Sequence, residues 1–159
     1  TGKSTVGRKL AKRLNRKFID TDRLIETETG LSVKEIFACY GEKYFRQLES
    51  KALTSLTAFP QGTLVVATGG GIMIDQTNRI FMRETGLVVL LTASEKVIRE
   101  RTAKSGHRPL LQDPDSEDKI NLLLKERQPF YDDCDFRIDT TEKSIRQVVT
   151  EIIDYINDR

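Results

Sequence analysis

The stretch Leu64-Val65-Val66-Ala67-Thr68-Gly69-Gly70-Gly71 decides the fold. Its first four residues form an unbroken apolar run that the glycines stop. A strand apolar on both faces is covered from both sides, as in a parallel sheet flanked by helices. Leu87-Val88-Val89-Leu90-Leu91 is a second run of this kind. Three consecutive glycines cost conformational entropy on folding. They make sense where backbone must approach a ligand closely; a tight strand-to-helix turn is the plainer alternative, but it rarely needs three.

On either side of these runs the pattern turns helical. Val6, Leu10, Ala11 and Leu14 recur at helical spacing between Ser4 and Leu14. Lys17-Phe18-Ile19-Asp20 reads as a short strand ending in an acid. Ser32 and Glu35 form an S-x-x-E capping box ahead of Val33, Ile36, Phe37 and Tyr40. Gly41 ends that helix, and a longer one follows through Phe45, Leu48, Ala52 and Leu56. Ser94 caps a helix bearing Val97, Ile98 and Arg101, and Phe136-Arg137-Ile138 is a short strand. From Ser144 to Ile156 the stripe Ile145, Val148, Val149, Ile152, Ile153, Ile156 marks a closing helix. Strands alternating with helices predict an α/β fold with a parallel sheet, as one domain over residues 1–159. The segment Lys104–Asp118 breaks the rhythm. It is polar, holds Gly106, Pro109 and Pro114, and is long for a connector, so it reads as a functional loop, a lid.

The chain's 159 residues suit one core. A formal net charge of +2 argues against a nucleic-acid or polybasic membrane partner, and no apolar run approaches the ~20 residues of a membrane span. Cys39, Cys134 and the single histidine, His107, make no metal spacing, so zinc and disulfides are excluded as the organising element. Two idle thiols fit a reducing, cytoplasmic setting, and the modest charge fits a monomer. Residue 1 is Thr, and we expect a further strand and half a phosphate loop ahead of it, together with any targeting signal.

Six patterns carry chemistry. Gly2-Lys3-Ser4 matches the end of G-x-x-x-x-G-K-[ST] and opens an amphipathic helix. In that motif amides wrap phosphates, Lys reaches the β- and γ-phosphates, and the hydroxyl ligates Mg²⁺. Alone it is balanced by an ordinary helix start. Asp20-Thr21-Asp22 ends a strand, where open α/β sheets bind ligands. One carboxylate could hold Mg²⁺ through water and the other accept a proton; a turn or helix cap is the alternative. Arg46 and Glu49 are neighbours on a helix, either a surface pair or a guanidinium fork for a substrate carboxylate, oriented by Glu49. Thr68–Gly71 is the glycine turn. Arg108, in His107-Arg108-Pro109-Leu110-Leu111, and Arg127, in R-x-P-x-Y after a helix with Leu122, Leu123 and Leu124, are surface residues or anion ligands. An Arg on a lid is a device for stabilising charge in phosphoryl transfer.

Taken together, G-K-S-T (Gly2 to Thr5), I-D-T-D (Ile19 to Asp22), F-R-x-x-E (Phe45 to Glu49), T-G-G-G, R-P-L-L (Arg108 to Leu111) and R-x-P-x-Y (Arg127 to Tyr131) resemble shikimate kinase in order and spacing. The resemblance implies a P-loop kinase fold, of the nucleoside-monophosphate-kinase-like three-layer kind, with a five-stranded parallel sheet whose first, central strand is not in this chain. It implies transfer of the ATP γ-phosphoryl to the 3-hydroxyl of shikimate, on the route to chorismate and aromatic amino acids. Carried over by position, Gly2, Lys3, Ser4 and Thr5 would bind nucleotide, and Ser4 and Asp20 would hold Mg²⁺. Asp22 would bind shikimate hydroxyls and act as base. Arg46 and Arg127 would grip the carboxylate beside Gly69, Gly70 and Gly71, with Gly70 the foremost backbone contact. Arg108 would close onto the phosphates, Arg101 would stack on adenine, and Thr140–Lys143 would form the adenine loop, with Lys143 a contact. Two rivals stand beside this reading: a gluconate-type kinase, and a non-catalytic relative.

Overall fold

The computed structural model describes residues 2–103 and 116–159. Element order is α1 (Lys3–Leu14), β1 (Lys17–Asp20), α2 (Thr21–Thr29), α3 (Val33–Ser55), β2 (Leu64–Ala67), α4 (Gln76–Thr85), β3 (Val89–Thr92), α5 (Glu95–Ala103), α6 (Ser116–Tyr131), β4 (Phe136–Asp139) and α7 (Ile145–Asn157). β1 pairs in parallel with β2, Lys17 opposite Leu64 through Asp20 opposite Ala67. β3 pairs in parallel with β4, Val89 opposite Phe136 through Thr92 opposite Asp139. Parallel neighbours need a crossover: α2 and α3 connect the first pair, α5 and α6 the second.

The single five-stranded sheet of the resemblance is therefore two parallel pairs among the described residues. α1 spans them. Its Val6 and Leu10 pack in one cluster with Leu91, Ile138, Val148, Val149 and Ile152, and Val65 and Val89 lie against the same cluster. The alternation of Val6, Leu10 and Leu14 with polar residues thus does its work by covering both strand pairs from one side. A second cluster joins α2 to α3 through Ile25, Ile36, Phe45 and Ala52. A third, of Leu53, Ile72 and Met73 with Phe130 and Tyr131 against it, lies beneath the glycine turn.

Local signals account for most boundaries. Ser32 and Ser144 both form capping boxes, with Glu35 and Gln147 returning the hydrogen bond. At Gly41 the backbone takes φ 81° and ψ 173°, a break that separates two helical pieces of α3; the positive φ disfavours any residue with a Cβ. Two helices go unread in the sequence and one boundary needs correction. Of the turn and the helix cap offered at Asp20-Thr21-Asp22 the structure has the cap: the Asp20 carboxylate accepts from the amides of Asp22 and Arg23, and Thr21 and Asp22 open the unread helix α2. α4 carries too few apolar residues to show a stripe, and only its Asp75 cap, accepting from Thr77 and Asn78, marks it. Arg127, Pro129 and Tyr131 do not follow a helix; they are the last turns of α6, which itself begins at Ser116, inside the segment read as loop.

Candidate active site

The glycine turn follows β2 directly and takes a 3-10 conformation at Ile72–Ile74. Its glycines are where side chains from three helices meet. A Cβ on Gly69 would lie 2.5 Å from Glu49 Oε1 of α3 and 3.2 Å from Asp22 Oδ1 of α2. One on Gly70 would meet the Tyr131 hydroxyl at 3.0 Å and Arg127 Nη1 at 3.4 Å, both from α6, and one on Gly71 would overlap the Arg46 guanidinium. Each glycine leaves room for a different charged or polar group, which is why three are needed. Asp22, Arg46, Gly69, Gly70, Gly71 and Arg127, far apart in sequence, are thus one constellation at the ends of β1 and β2.

Arg46 is held from two sides. Its Nε and Nη2 donate to Glu42 Oε1 at 3.2 and 2.7 Å, and its Nη1 donates to Glu49 Oε2 at 2.5 Å. A guanidinium has five N–H groups, so this bracing leaves one on each Nη among the described residues, the fork a carboxylate accepts. Glu49 is 1% exposed. Burial pushes its carboxyl above the ordinary 4.5, against the attraction of Arg46, while the nearby Asp22 pushes it further up. Its Oε1 and the Nε of Arg127 are buried without a hydrogen-bond partner among the described residues. A buried acceptor and donor left open within one cluster are unusual in a folded protein, since each costs about 1–3 kcal/mol. Groups poised for a polar ligand explain the pair.

Ser4 and Asp20 meet at the start of α1. The Ser4 hydroxyl donates to Asp20 Oδ2 at 2.6 Å, and Gly2 enters the helix with φ 82°. One hydroxyl and one carboxylate are the hard oxygen donors that Mg²⁺ uses when nucleotide phosphates and water complete its shell. The residues therefore fit the ion. Lys3 and Thr5 stand in the first turn beside them, with the helix N-terminus available to phosphate. On the far side Arg101 donates from Nη1 and Nη2 to the hydroxyl and carbonyl of Thr140, both at 3.0 Å. That ties α5 to the Thr140–Lys143 loop, as the adenine reading requires of two segments 39 positions apart. Lys143 itself is paired with Glu151 of α7 at 2.7 Å. Arg108, His107 and the lid through 115 lie outside the described residues.

Two participants escaped the sequence. Glu42 gave no sign beyond its i, i+4 spacing to Arg46. Tyr131 stood in a quoted motif without a role, although its i, i+4 spacing from Arg127 places both on one helix face.

The family model for shikimate kinase matches residues 1–157. The shikimate kinase of Geobacter sulfurreducens is 47% identical over 158 residues, covering 99% of this chain and 86% of that protein. That of Caldanaerobacter subterraneus subsp. tengcongensis is 44% identical over 153 residues, covering 96% and 88%. Among solved structures, shikimate kinase from Acinetobacter baumannii in complex with shikimate superposes with a TM-score of 0.92 at 39% identity, covering 99% of this chain and 87% of that one. The Bacteroides thetaiotaomicron shikimate kinase gives 0.89 at 32% identity, covering 98% and 92%.

Proposed function

We infer the roles of individual residues from one premise: the chain belongs to the shikimate kinase family. Its activity is ATP-dependent phosphorylation of shikimate in aromatic amino acid biosynthesis, and its fold is that of the P-loop kinases. The observation that carries the assignment of roles is the convergence of Asp22, Arg46, Glu49 and Arg127 on three adjacent glycines.

Arg46 and Arg127 take the shikimate carboxylate. Arg46 offers its braced fork and Arg127 its open Nε, so the ring is held by a group that does not react. Asp22 lies beside Gly69 on the same side as Glu49 and accepts hydrogen bonds from the ring hydroxyls. As the 3-hydroxyl oxygen bonds to the γ-phosphorus, the bond from that phosphorus to the bridging oxygen of ADP breaks. The hydroxyl proton passes to the Asp22 carboxylate, giving shikimate 3-phosphate and ADP. Lys3 and the amides at the start of α1 hold the phosphates, and Arg108, from the lid, neutralises charge on the transferred group. Ser4 and Asp20 would hold Mg²⁺, which would neutralise phosphate charge. Arg101, anchored on Thr140, and Lys143 border the adenine. The composition supports a monomer in the cytoplasm. Among the described residues no helix is long and apolar enough to cross a membrane.

A coupled assay of ADP release tests the reading, with shikimate and gluconate as competing acceptors. Asp22→Asn keeps the shape and loses the base, so kcat falls about 10²–10⁴-fold. Arg46→Lys keeps the charge and loses the fork, so KM for shikimate rises while KM for ATP holds. Equal turnover of gluconate, or near-normal kinetics in both variants, would reject this site.

A further inference from the structure

We propose that the hydroxyl of Tyr131 is a positioning element for carboxylate recognition, locking the glycine turn and Arg127 into one unit. The inference rests on the assignment of Arg127 to the shikimate carboxylate. Tyr131 Oη donates to the carbonyl oxygen of Gly70 at 3.1 Å, across 61 positions of sequence. Arg127 Nη1 faces the same glycine from one helical turn earlier. The amide plane relates the two groups of a trans peptide, so the carbonyl of Gly70 and the N–H of Gly71 point in opposite directions. Tying the carbonyl to Tyr131 therefore turns the Gly71 N–H away from α6. A triple-glycine turn has many accessible conformations, and this hydrogen bond selects one of them.

The end of α6 has particular need of such a tie. Pro129 supplies no N–H to the helix there, so tertiary contacts must hold the segment. Arg79 provides some: its guanidinium lies 5.1 Å from the Phe130 ring centre, it donates to the carbonyls of Met73 at 2.6 Å and Ile74 at 3.0 Å, and it pairs with Asp133 at 3.4 Å. These contacts hold the backbone on the far side of the turn. Among the described residues, Tyr131 is the side chain of α6 that hydrogen-bonds to the glycines themselves. Its ring packs beside Leu53, Ile72 and Met73, which fixes where the hydroxyl can reach.

Tyr131→Phe removes the hydroxyl and keeps the packing, and it should be measured with Arg127→Lys and the double variant. We expect KM for shikimate to rise about fivefold in Tyr131→Phe, the worth of one ordinary hydrogen bond, with KM for ATP unchanged and the melting temperature lower by about 2–4 °C, since the bond is already made in the ligand-free fold. In the Arg127→Lys background the second substitution should add little, because residues acting as a unit are not additive. Unchanged KM for shikimate in Tyr131→Phe, with Arg127→Lys impaired, overturns this inference alone. A matched rise of both KM values, or full additivity in the double variant, also overturns it, since a merely structural hydroxyl would behave that way. A normal Arg127→Lys enzyme overturns the carboxylate assignment and this inference with it.

Discussion

Glu49 shows how a residue whose surroundings oppose its charge serves a site. It is almost wholly inaccessible, yet it is one of the two carboxylates that aim Arg46. Burial raises its carboxyl above the usual value of 4.5; Arg46 and Arg127 oppose that rise and Asp22 adds to it. The native state thus holds this proton more tightly than the unfolded chain does. By linkage, its contribution to stability is fullest below the unfolded value and is lost as pH rises through the folded one. Glu49→Gln keeps the shape and removes the titration. The stability of the natural protein relative to this variant should therefore fall as pH is raised from 4.5 and then level off, as read from urea unfolding at a series of pH values. The lowered carboxyls of Glu35 and Asp139 are common to both proteins and cancel. A difference that grows with pH instead would mean that attraction to Arg46 outweighs burial.

Among the elements, the helices divide between scaffold and site. α7 contributes Val148, Val149 and Ile152 to the core, each 1 or 2% exposed, and it packs on α1. Its start depends on Ser144, whose hydroxyl accepts from the Gln147 amide while Gln147 returns the bond to the Ser144 amide at 2.9 Å. Ser144→Ala should cost about 1 kcal/mol of stability and leave KM for shikimate where it was, a split that chemical denaturation and steady-state kinetics together measure. α3 and α6 behave otherwise. Each presents an Arg and a partner to the same turn, so changes to their inner faces should show in substrate affinity as well as in stability.

At the scale of the whole molecule, the two ends of the site are built differently. The end proposed for shikimate is assembled from α2, α3, α6 and the glycine turn, with buried charges braced by other charges. The end proposed for the nucleotide is simpler: a helix start, one hydroxyl and one carboxylate hydrogen-bonded to each other. That self-sufficiency carries a prediction. Removing divalent cations with a chelator should abolish phosphoryl transfer while leaving the melting temperature of the ligand-free protein unchanged, because folding has not left Ser4 or Asp20 waiting for a metal. A large fall in melting temperature on chelation would show that the ion is part of the fold.

The four strands, the helix start at Lys3 and most of the helices were legible in the sequence, because apolar periodicity is a local property of the chain, and short polar motifs singled out Asp22, Arg46 and Arg127, which the structure brings to one glycine turn. So were the boxes at Ser32 and Ser144 and the break at Gly41, where one residue type meets a backbone demand. Other features depended on distance in space. Only the Asp75 cap announces a helix at Gln76–Thr85, whose Phe81 and Met82 pack against Ile72 and Met73. Pro129 reads locally as a helix stop, yet contacts to Arg79 and Gly70 carry α6 through it. The reason for three glycines became visible only once Glu49, Tyr131 and Arg46 were seen against them one by one. Which side chains face a turn is set by the packing of four elements, and no spacing along the chain encodes that.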